Sequence, residues 1–355
     1  MPTLPAKVVV LVNSDFESRL DELSRDGPRA YEADAAVLDM ARAVETTLMR
    51  LGCSVVELRV ESALDGVIER LERAGADVVF NLVESLGNDY GREWELPSLL
   101  GRHGLPYTGN GPVPLRLSRA KDGARRVLRR AGVRVPRGLT VREAGRLRAS
   151  RLGPLPLPAF VKPARVDGSI GIDAGSLCAD REALITRVNH LACHLPGPFL
   201  VEEYLPGKEI NVSLFPAADD VETLAVAMTE IDFSPLAPEL PRFVTYDGKW
   251  NPTSAEYASR SVPAQLAPAL RDEVEALARR AFCALGGSGY GRVDMRLDSA
   301  GRPCVIDVNP NNDLSPEAGL ALAAASVGVS YEQLIGSIVR HGYEVKRADW
   351  THRSP

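Results

Sequence analysis

The chain has 355 residues, 42 basic against 47 acidic, and a formal charge of −5. At roughly 150 residues per domain this makes two or three domains, large enough for several cores without disulfide or metal staples. A 45% hydrophobic and 25% charged composition excludes a disordered, collagenous or coiled-coil chain, and with a pI near 5.7 there is no broad basic footprint to suggest nucleic acid as partner.

The apolar start, Val8–Val12, meets Asn13, Ser14 and Asp15. It is too short for a signal peptide, and no run approaches the ~20 residues of a membrane span, so a cytoplasmic protein with no membrane partner is expected. Val8–Val12 itself lies in the run Lys7–Val12, which reads as a strand buried on both faces. A helix follows with Val37, Met40, Val44, Leu48 and Leu51 on one face, stopped by Gly52. Then come strand Ser54–Val60, helix Val67–Ala74, strand Asp77–Leu82 and helix Arg92–Arg102. This βαβ order implies a parallel sheet. Gly109–Pro114 reads as loop, and Ser118 as the cap of a helix running to Ala131. Leu152–Pro158 is linker-like. Beyond it strands are expected at Phe160–Lys162, Ser176–Ala179, Phe199–Glu203, Glu209–Leu214, Leu224–Ile231, Arg292–Leu297 and Pro303–Val308, with helices near 181–193, 264–285, 316–327 and 331–341. There is no internal repeat. An α/β first third followed by α+β domains is the expected class. The five cysteines (53, 178, 193, 283, 304) are scattered and form no C-x-x-C pair. They are expected to be small buried thiols in a reducing compartment.

Three segments carry candidate chemistry. In the first, 160–172 (FVKPARVDGSIGI), a strand delivers Lys162 to a loop containing Gly168, Ser169 and Gly171. Glycines let backbone N–H groups approach an anion and the ammonium offsets phosphate charge. An ordinary hairpin with a Gly-Ser turn would look the same, and the segment is not a Walker A loop. In the second, Arg292-Val-Asp294 and Asp307-Val-Asn309 lie on two strands joined by the turn Asp298–Gly301. Alternation puts Arg292 with Asp294, and Asp307 with Asn309, on one face. Such hard oxygens suit Mg²⁺ shared with phosphate. A polar edge hairpin is the alternative, but Val305, Ile306 and Val308 make the second strand apolar enough to be internal. In the third, Glu202, Glu203 and Glu209 surround a Pro-Gly turn, which taken alone reads as a solvated acidic hairpin. His190, Cys193 and His194 have zinc-like spacing on a helix but lack a fourth ligand. Only six of the 42 basic residues are lysine, so a lysine inside a motif is less easily filler.

In order along the chain, these segments resemble the ATP-grasp superfamily and, more closely, the D-alanine–D-alanine ligase family. The likeness also runs through Val79–Leu82, Gly104–Gly109, Ser118–Lys121, Val201–Leu205, Gly289–Asp294 and Ser330–Ile335. It implies an N-terminal α/β domain (1–117), two ATP-grasp subdomains (118–205 and 206–346) with ATP between them, and a tail (347–355). It implies an ATP-dependent carboxylate–amine ligase working through an acylphosphate, with ATP and Mg²⁺ or Mn²⁺, two ions, as cofactors. Small carboxylates, amino acids and amines would be its substrates, and a homodimer would be in keeping. Lys121 and Lys162 match the phosphate-holding lysines, and Lys249 a third in a mobile loop. Gly168, Ser169 and Gly171 match the glycine loop. Glu202 matches a carboxylate near the adenine amino group, Glu203, Tyr204 and Leu205 the hinge strand, and Glu209 the ribose-binding acid. Asp294, Asp307 and Asn309 match the metal ligands, and Arg292 the arginine that stabilises the oxyanion.

The departures gather where the amino acids bind. The segment 12–17 replaces a glycine-rich motif, with Glu17 the candidate for holding the first ammonium. Glu84 stands for a histidine, Trp250 for a tyrosine, Asn312-Asp313 for Pro-Gly, and Ala318 near a serine. The expectation is therefore a ligase whose substrates are not simply two D-alanines. A genuine D-alanine–D-alanine ligase is the alternative, and a non-catalytic nucleotide binder is disfavoured because Arg292 and the metal set remain.

Overall fold

The computed structural model describes residues 4–14, 28–87, 89–148 and 152–351. Its first layer is a parallel sheet of β1 (Lys7–Asn13), β2 (Ser54–Val60) and β3 (Val78–Leu82), in the order β2-β1-β3. The crossovers are α1 (Pro28–Arg50) and α2 (Val67–Ala74). All five residues of β3 and six of the seven in β1 are buried, which explains continuous apolar runs instead of alternation.

Three helices follow: α3 (Glu95–Arg102), α4 (Pro112–Arg119) and α5 (Lys121–Arg130). Two sequence expectations fail here. Residues 109–114 are not all loop, because Pro112 opens α4, where its fixed φ and missing N–H cost nothing. Ser118 caps no helix. It lies in the last turn of α4, its hydroxyl donates to Leu115 O at 3.1 Å, and α5 starts afresh at Lys121.

The second sheet is antiparallel, β4 (Gly138–Val141), β5 (Ala159–Pro163), β6 (Leu177–Cys178) and β7 (Phe199–Glu203), in the order β4-β7-β5-β6. Helix α6 (Arg181–His194) packs on it, its first turn held by the Asp180 carboxylate accepting from Ala183 N–H. The third sheet is β8 (Glu209–Pro216), β9 (Leu224–Asp232), β10 (Arg260–Pro263), β11 (Gly291–Leu297) and β12 (Pro303–Asn309), in the order β10-β9-β8-β11-β12. The short helix α7 (Tyr246–Trp250) precedes β10, α8 (Pro268–Ala284) follows it, and α9 (Gly319–Ser326) and α10 (Tyr331–Thr351) complete the chain. Strands β4 and β10, four residues each, were too short to leave a pattern in the sequence.

Two further expectations change. The segments around Pro206-Gly207 do not form a hairpin: β7 belongs to the second sheet and β8 to the third. The Pro-Gly connection therefore crosses between sheets, and Glu202 and Glu209 are buried. Strand β12 is the outer strand of its sheet, not an internal one, and its apolar face is explained by cover, with Val305 N–H donating to Arg134 O at 2.9 Å. One core joins the first and third sheets, with Val8, Phe80, Phe215, Tyr290, Leu320 and Leu334 in a single buried cluster. The cysteines also divide: 53, 178 and 304 are buried, but Cys193 and Cys283 are exposed, and all are free thiols. No single described helix is long and apolar enough to cross a membrane.

Candidate active site

A cleft of about 580 Å³ opens between the second and third sheets. Lys162 and Glu202 enter it together because β5 and β7 pair in a register that sets Phe160 opposite Glu202 and Lys162 opposite Leu200. Lys162 Nζ lies 3.1 Å from Glu202 Oε2 and donates to Ile306 O of β12 at 3.0 Å. One ammonium thus touches both sheets. Behind Glu202, Arg125 Nε sits 3.4 Å from Oε1, and its Nη2 donates to Pro136 O at 2.6 Å. Burial pulls the Arg125 guanidinium below its ordinary pKa, and Glu202 opposes that.

The glycine loop is held by charge. Lys121 Nζ donates to Val166 O at 3.0 Å, pairs with Asp167, and stands 3.7 Å from Asp307 Oδ2. Arg119 bridges Asp167 at 2.8 Å and the buried Glu93 at 3.2 Å. Ser169, in the lining, has φ 60° and is the only non-glycine among the described residues with positive φ. Such a conformation is costly for a side chain and gathers at ligand-binding loops. Gly171 does not line the cleft. A Cβ there would come within 2.7 Å of Leu195 Cδ1 and 3.0 Å of Pro163 Cγ, so this glycine serves the packing of the loop against α6. Gly168 lines the cleft, and its carbonyl accepts from Trp250 Nε1 at 2.8 Å. Trp250 lies outside the lining, with Lys249 Nζ 4.9 Å from its ring centroid. Burial, and then Arg292, lower the Lys249 pKa from its usual value.

Strands β11 and β12 bring the remaining charges together. Their register sets Arg292 opposite Asn309 and Asp294 opposite Asp307, with an irregularity just after Asp294. Arg292 grips Asp294 through two bonds, at 2.5 and 2.9 Å, and Asn309 Nδ2 donates to Asp294 Oδ2 at 3.0 Å. Burial raises the Asp307 pKa, while Lys121 works against it. Arg296, on the same face, bonds Glu209 at 2.9 Å and caps Leu205 O and Gly207 O. Tyr204 lies under the Arg296 guanidinium at 5.4 Å. Glu203 lines the cleft and pairs with Arg137 at 2.9 Å. Asp294, Asp307 and the Asn309 carbonyl offer hard oxygens from adjacent strands, a donor set that fits Mg²⁺ or Mn²⁺. Their carboxylates are neutralised here by Arg292 and Lys121.

The amino-acid candidates are not gathered in this cleft. Glu17 lies outside the described residues. Glu84 is half-buried, with its N–H donating to Asn13 Oδ1 at 3.2 Å. Asp313 is exposed and closes a turn, accepting from Ser315 N–H at 2.7 Å and its hydroxyl at 2.6 Å. Both belong to the negative surroundings of the buried Tyr290, whose phenol is raised by burial first and then by Glu84, Glu93 and Asp313. Asn311 connects Glu93, at 3.3 Å, to the Tyr290 hydroxyl, at 3.5 Å. His190 and His194 are exposed on α6. Among the described residues no three His, Cys, Asp or Glu side chains form a metal-holding group there or elsewhere.

Arg125, Asp167, Arg119 and Arg296 were not foreseen. Two had a signal: Arg125 is one helical turn beyond Lys121, and Arg296 continues the Arg292, Asp294 face by two.

Comparison with known proteins gives the family and the fold. Residues 128–340 match the family model described as D-ala D-ala ligase C-terminus. The D-alanine–D-alanine ligase of Bordetella petrii is 30% identical, over 88% of this chain and 89% of that one. The uncharacterized protein y4sG of Sinorhizobium fredii is 27% identical over 94% of this chain and 96% of its own. The structure of D-alanine–D-alanine ligase from Bacillus anthracis complexed with ATP has the same fold, with a TM-score of 0.73 at 18% identity, covering 97% of this chain and 99% of that one. The chain belongs to the ATP-grasp D-alanine–D-alanine ligase family and is an ATP-dependent ligase.

Proposed function

We propose that this protein joins a small carboxylate, such as an amino acid, to an amine other than a second simple D-alanine. ATP would phosphorylate the carboxylate, giving ADP and an acylphosphate, and the amine would then displace phosphate. The observation that carries the chemical part is the facing of Arg292, Asp294, Asp307 and Asn309 on β11 and β12 against Lys121 and Lys162. Phosphoryl transfer relies on positioned cations rather than covalent chemistry by the protein. Asp294, Asp307 and Asn309 would hold Mg²⁺, which supplies charge to the phosphate oxygens. Lys121 and Lys162 would exchange their present carboxylate partners for phosphate. Glu202 and Glu209 would receive the adenine amino group and the ribose. Arg292 would shift from Asp294 toward the oxyanion that develops when the amine attacks, where a fixed donor matters most. Lys249, carried beside Gly168 by the Trp250 bond, would close over the phosphates.

The choice of amine rests on charge. Glu84 and Asp313 add their charge to that of Glu93, itself paired with Arg119, in raising the Tyr290 phenol, and such added negative charge would repel a free α-carboxylate and favour a basic or carboxylate-blocked acceptor. One observation favours the second reading, a genuine D-alanine–D-alanine ligase: Asp313 spends its carboxylate on the Ser315 turn and is exposed. A substrate panel read by ADP release, with mass spectrometry of the product, separates the two. D-alanine alone as the best substrate supports the second.

A further inference from the structure

A second concavity, of about 460 Å³, lies outside the cleft, between the end of α5, the segment 132–137 and α8. Its floor is apolar, with Val133, Val135, Pro136 and Leu277. Its rim is cationic: Arg129 from α5, Arg134 and Arg137 from the connecting segment, and Arg280 from α8. Glu273 is the one acid in the lining, and it is already paired with Arg134 at 3.0 Å. Arg137 is paired with Glu203 of β7. Arg129 and Arg280 are exposed and have no hydrogen-bond or ion-pair partner among the described residues. Arg129 instead lies close enough to the buried Arg125 to disfavour its charge.

A single helix with several arginines is ordinarily just a solvated face. Here Arg129 of α5 and Arg280 of α8, from two separate helices, line one hollow beside the already paired Arg134 and Arg137, in a chain whose net charge is −5, and like charges held together cost free energy unless an anion is bound. The volume is that of a small-molecule site, and guanidinium groups match phosphate in geometry as well as charge. The apolar floor adds room for a flat organic body.

We propose that this groove is a second ligand site, distinct from the cleft, that takes a small phosphorylated compound: a multiply charged phosphate on Arg129 and Arg280, with any organic part on Val133, Val135 and Leu277. The site adjoins the hinge. Pro136 lines both concavities, its carbonyl accepts from Arg125, and Glu203 N–H donates to Arg137 O at 2.7 Å. Helices α5 and α8 already share one core with the third sheet, so a bound anion would stiffen that side of the hinge, next to the segment 132–137, and so alter how readily the cleft binds ATP.

The test is calorimetric titration of the purified protein with inorganic tripolyphosphate, and separately with AMP, in wild type, in Arg129→Ser/Arg280→Ser and in Lys121→Ala/Lys162→Ala. Charge-assisted bonds of ~1.5–3 kcal/mol each correspond to about tenfold or more in affinity. The proposal expects two tripolyphosphate events in wild type. The arginine variant should lose one while its KM for ATP stays within about twofold in the absence of added anion, and the lysine variant should retain that same event. AMP binding that survives in the lysine variant and is lost in the arginine variant would support the site with an organic ligand, and a tripolyphosphate event with that same pattern but no such AMP event would support it with an inorganic one. A single tripolyphosphate event, abolished in the lysine variant and untouched in the arginine variant, overturns it. Because the readout is binding, failure of the ligase reading would leave this result unaffected.

Discussion

The two ends of the active region differ in how they are built. In the cleft, each cation stands on a strand or at the first residue of a helix and is answered by a nearby carboxylate: Lys162 by Glu202, Lys121 by Asp167 and Asp307, Arg292 by Asp294 on its own strand, Arg296 by Glu209. At the end proposed to bind the amino acids, Glu84 and Asp313 come from loops, and the Tyr290 phenol is raised by burial and then by Glu84, Glu93 and Asp313, of which Glu93 is paired with Arg119. The first arrangement is a charge set already paired and positioned, in which a ligand need only exchange partners. The second has an uneven charge that any substrate must complement. On the proposed function, chemistry would be carried by the sheets and selectivity by the loops, so that each could be altered without the other.

That division can be broken in stages. The largest effect should come from removing divalent metal: in EDTA, ADP formation should fall below detection and return on adding Mg²⁺. Asp294→Asn should lower kcat far more than it weakens nucleotide binding, since charge counts most in the transition state. Next, Arg292→Ala should reduce kcat by about 10²–10³ with ATP affinity nearly kept, as steady-state kinetics and nucleotide titration would reveal. A rise in the KM for ATP alone would remove Arg292 from its oxyanion role.

A smaller effect is expected at Arg125, which touches no ligand. Without its guanidinium, Glu202 is left to Lys162 alone, so the ammonium is less available to phosphate. Arg125→Met should raise the KM for ATP about tenfold, the scale of one charge-assisted bond, with kcat largely preserved, and Arg125→Lys should recover most of it. An equal fall in kcat would indicate damage to the fold instead. Least of all, Trp250→Phe removes only the bond to Gly168 O and keeps a ring beside Lys249. At about 1 kcal/mol for a neutral hydrogen bond, it should raise the KM for ATP roughly fivefold.

The same division explains what could be read from the residues alone. Arg292, Asp294, Asp307 and Asn309 were legible because strand alternation and a short turn fix their faces locally. Lys162 was legible as a residue, but its contact with Glu202 was not, since it depends on the β5–β7 register across a gap of 40 positions. Glu202 and Glu209 looked like a solvated hairpin because nothing local says that the chain changes sheets at Pro206-Gly207. Gly171 resembled a phosphate glycine, yet its constraint is Leu195, just past the end of α6, together with Pro163. The loop residues were least legible: Asp313 is defined by its turn with Ser315, and its bearing on the buried Tyr290 arises only in the folded chain.

Acceptor selectivity tests the proposed function most directly. Steady-state kcat/KM should be measured by ADP release with D-alanine as sole substrate, and with basic and amidated amines offered beside a common carboxylate. The account predicts that at least one basic or carboxylate-blocked acceptor exceeds D-alanine. A kcat/KM for D-alanine above that of every such acceptor would contradict it.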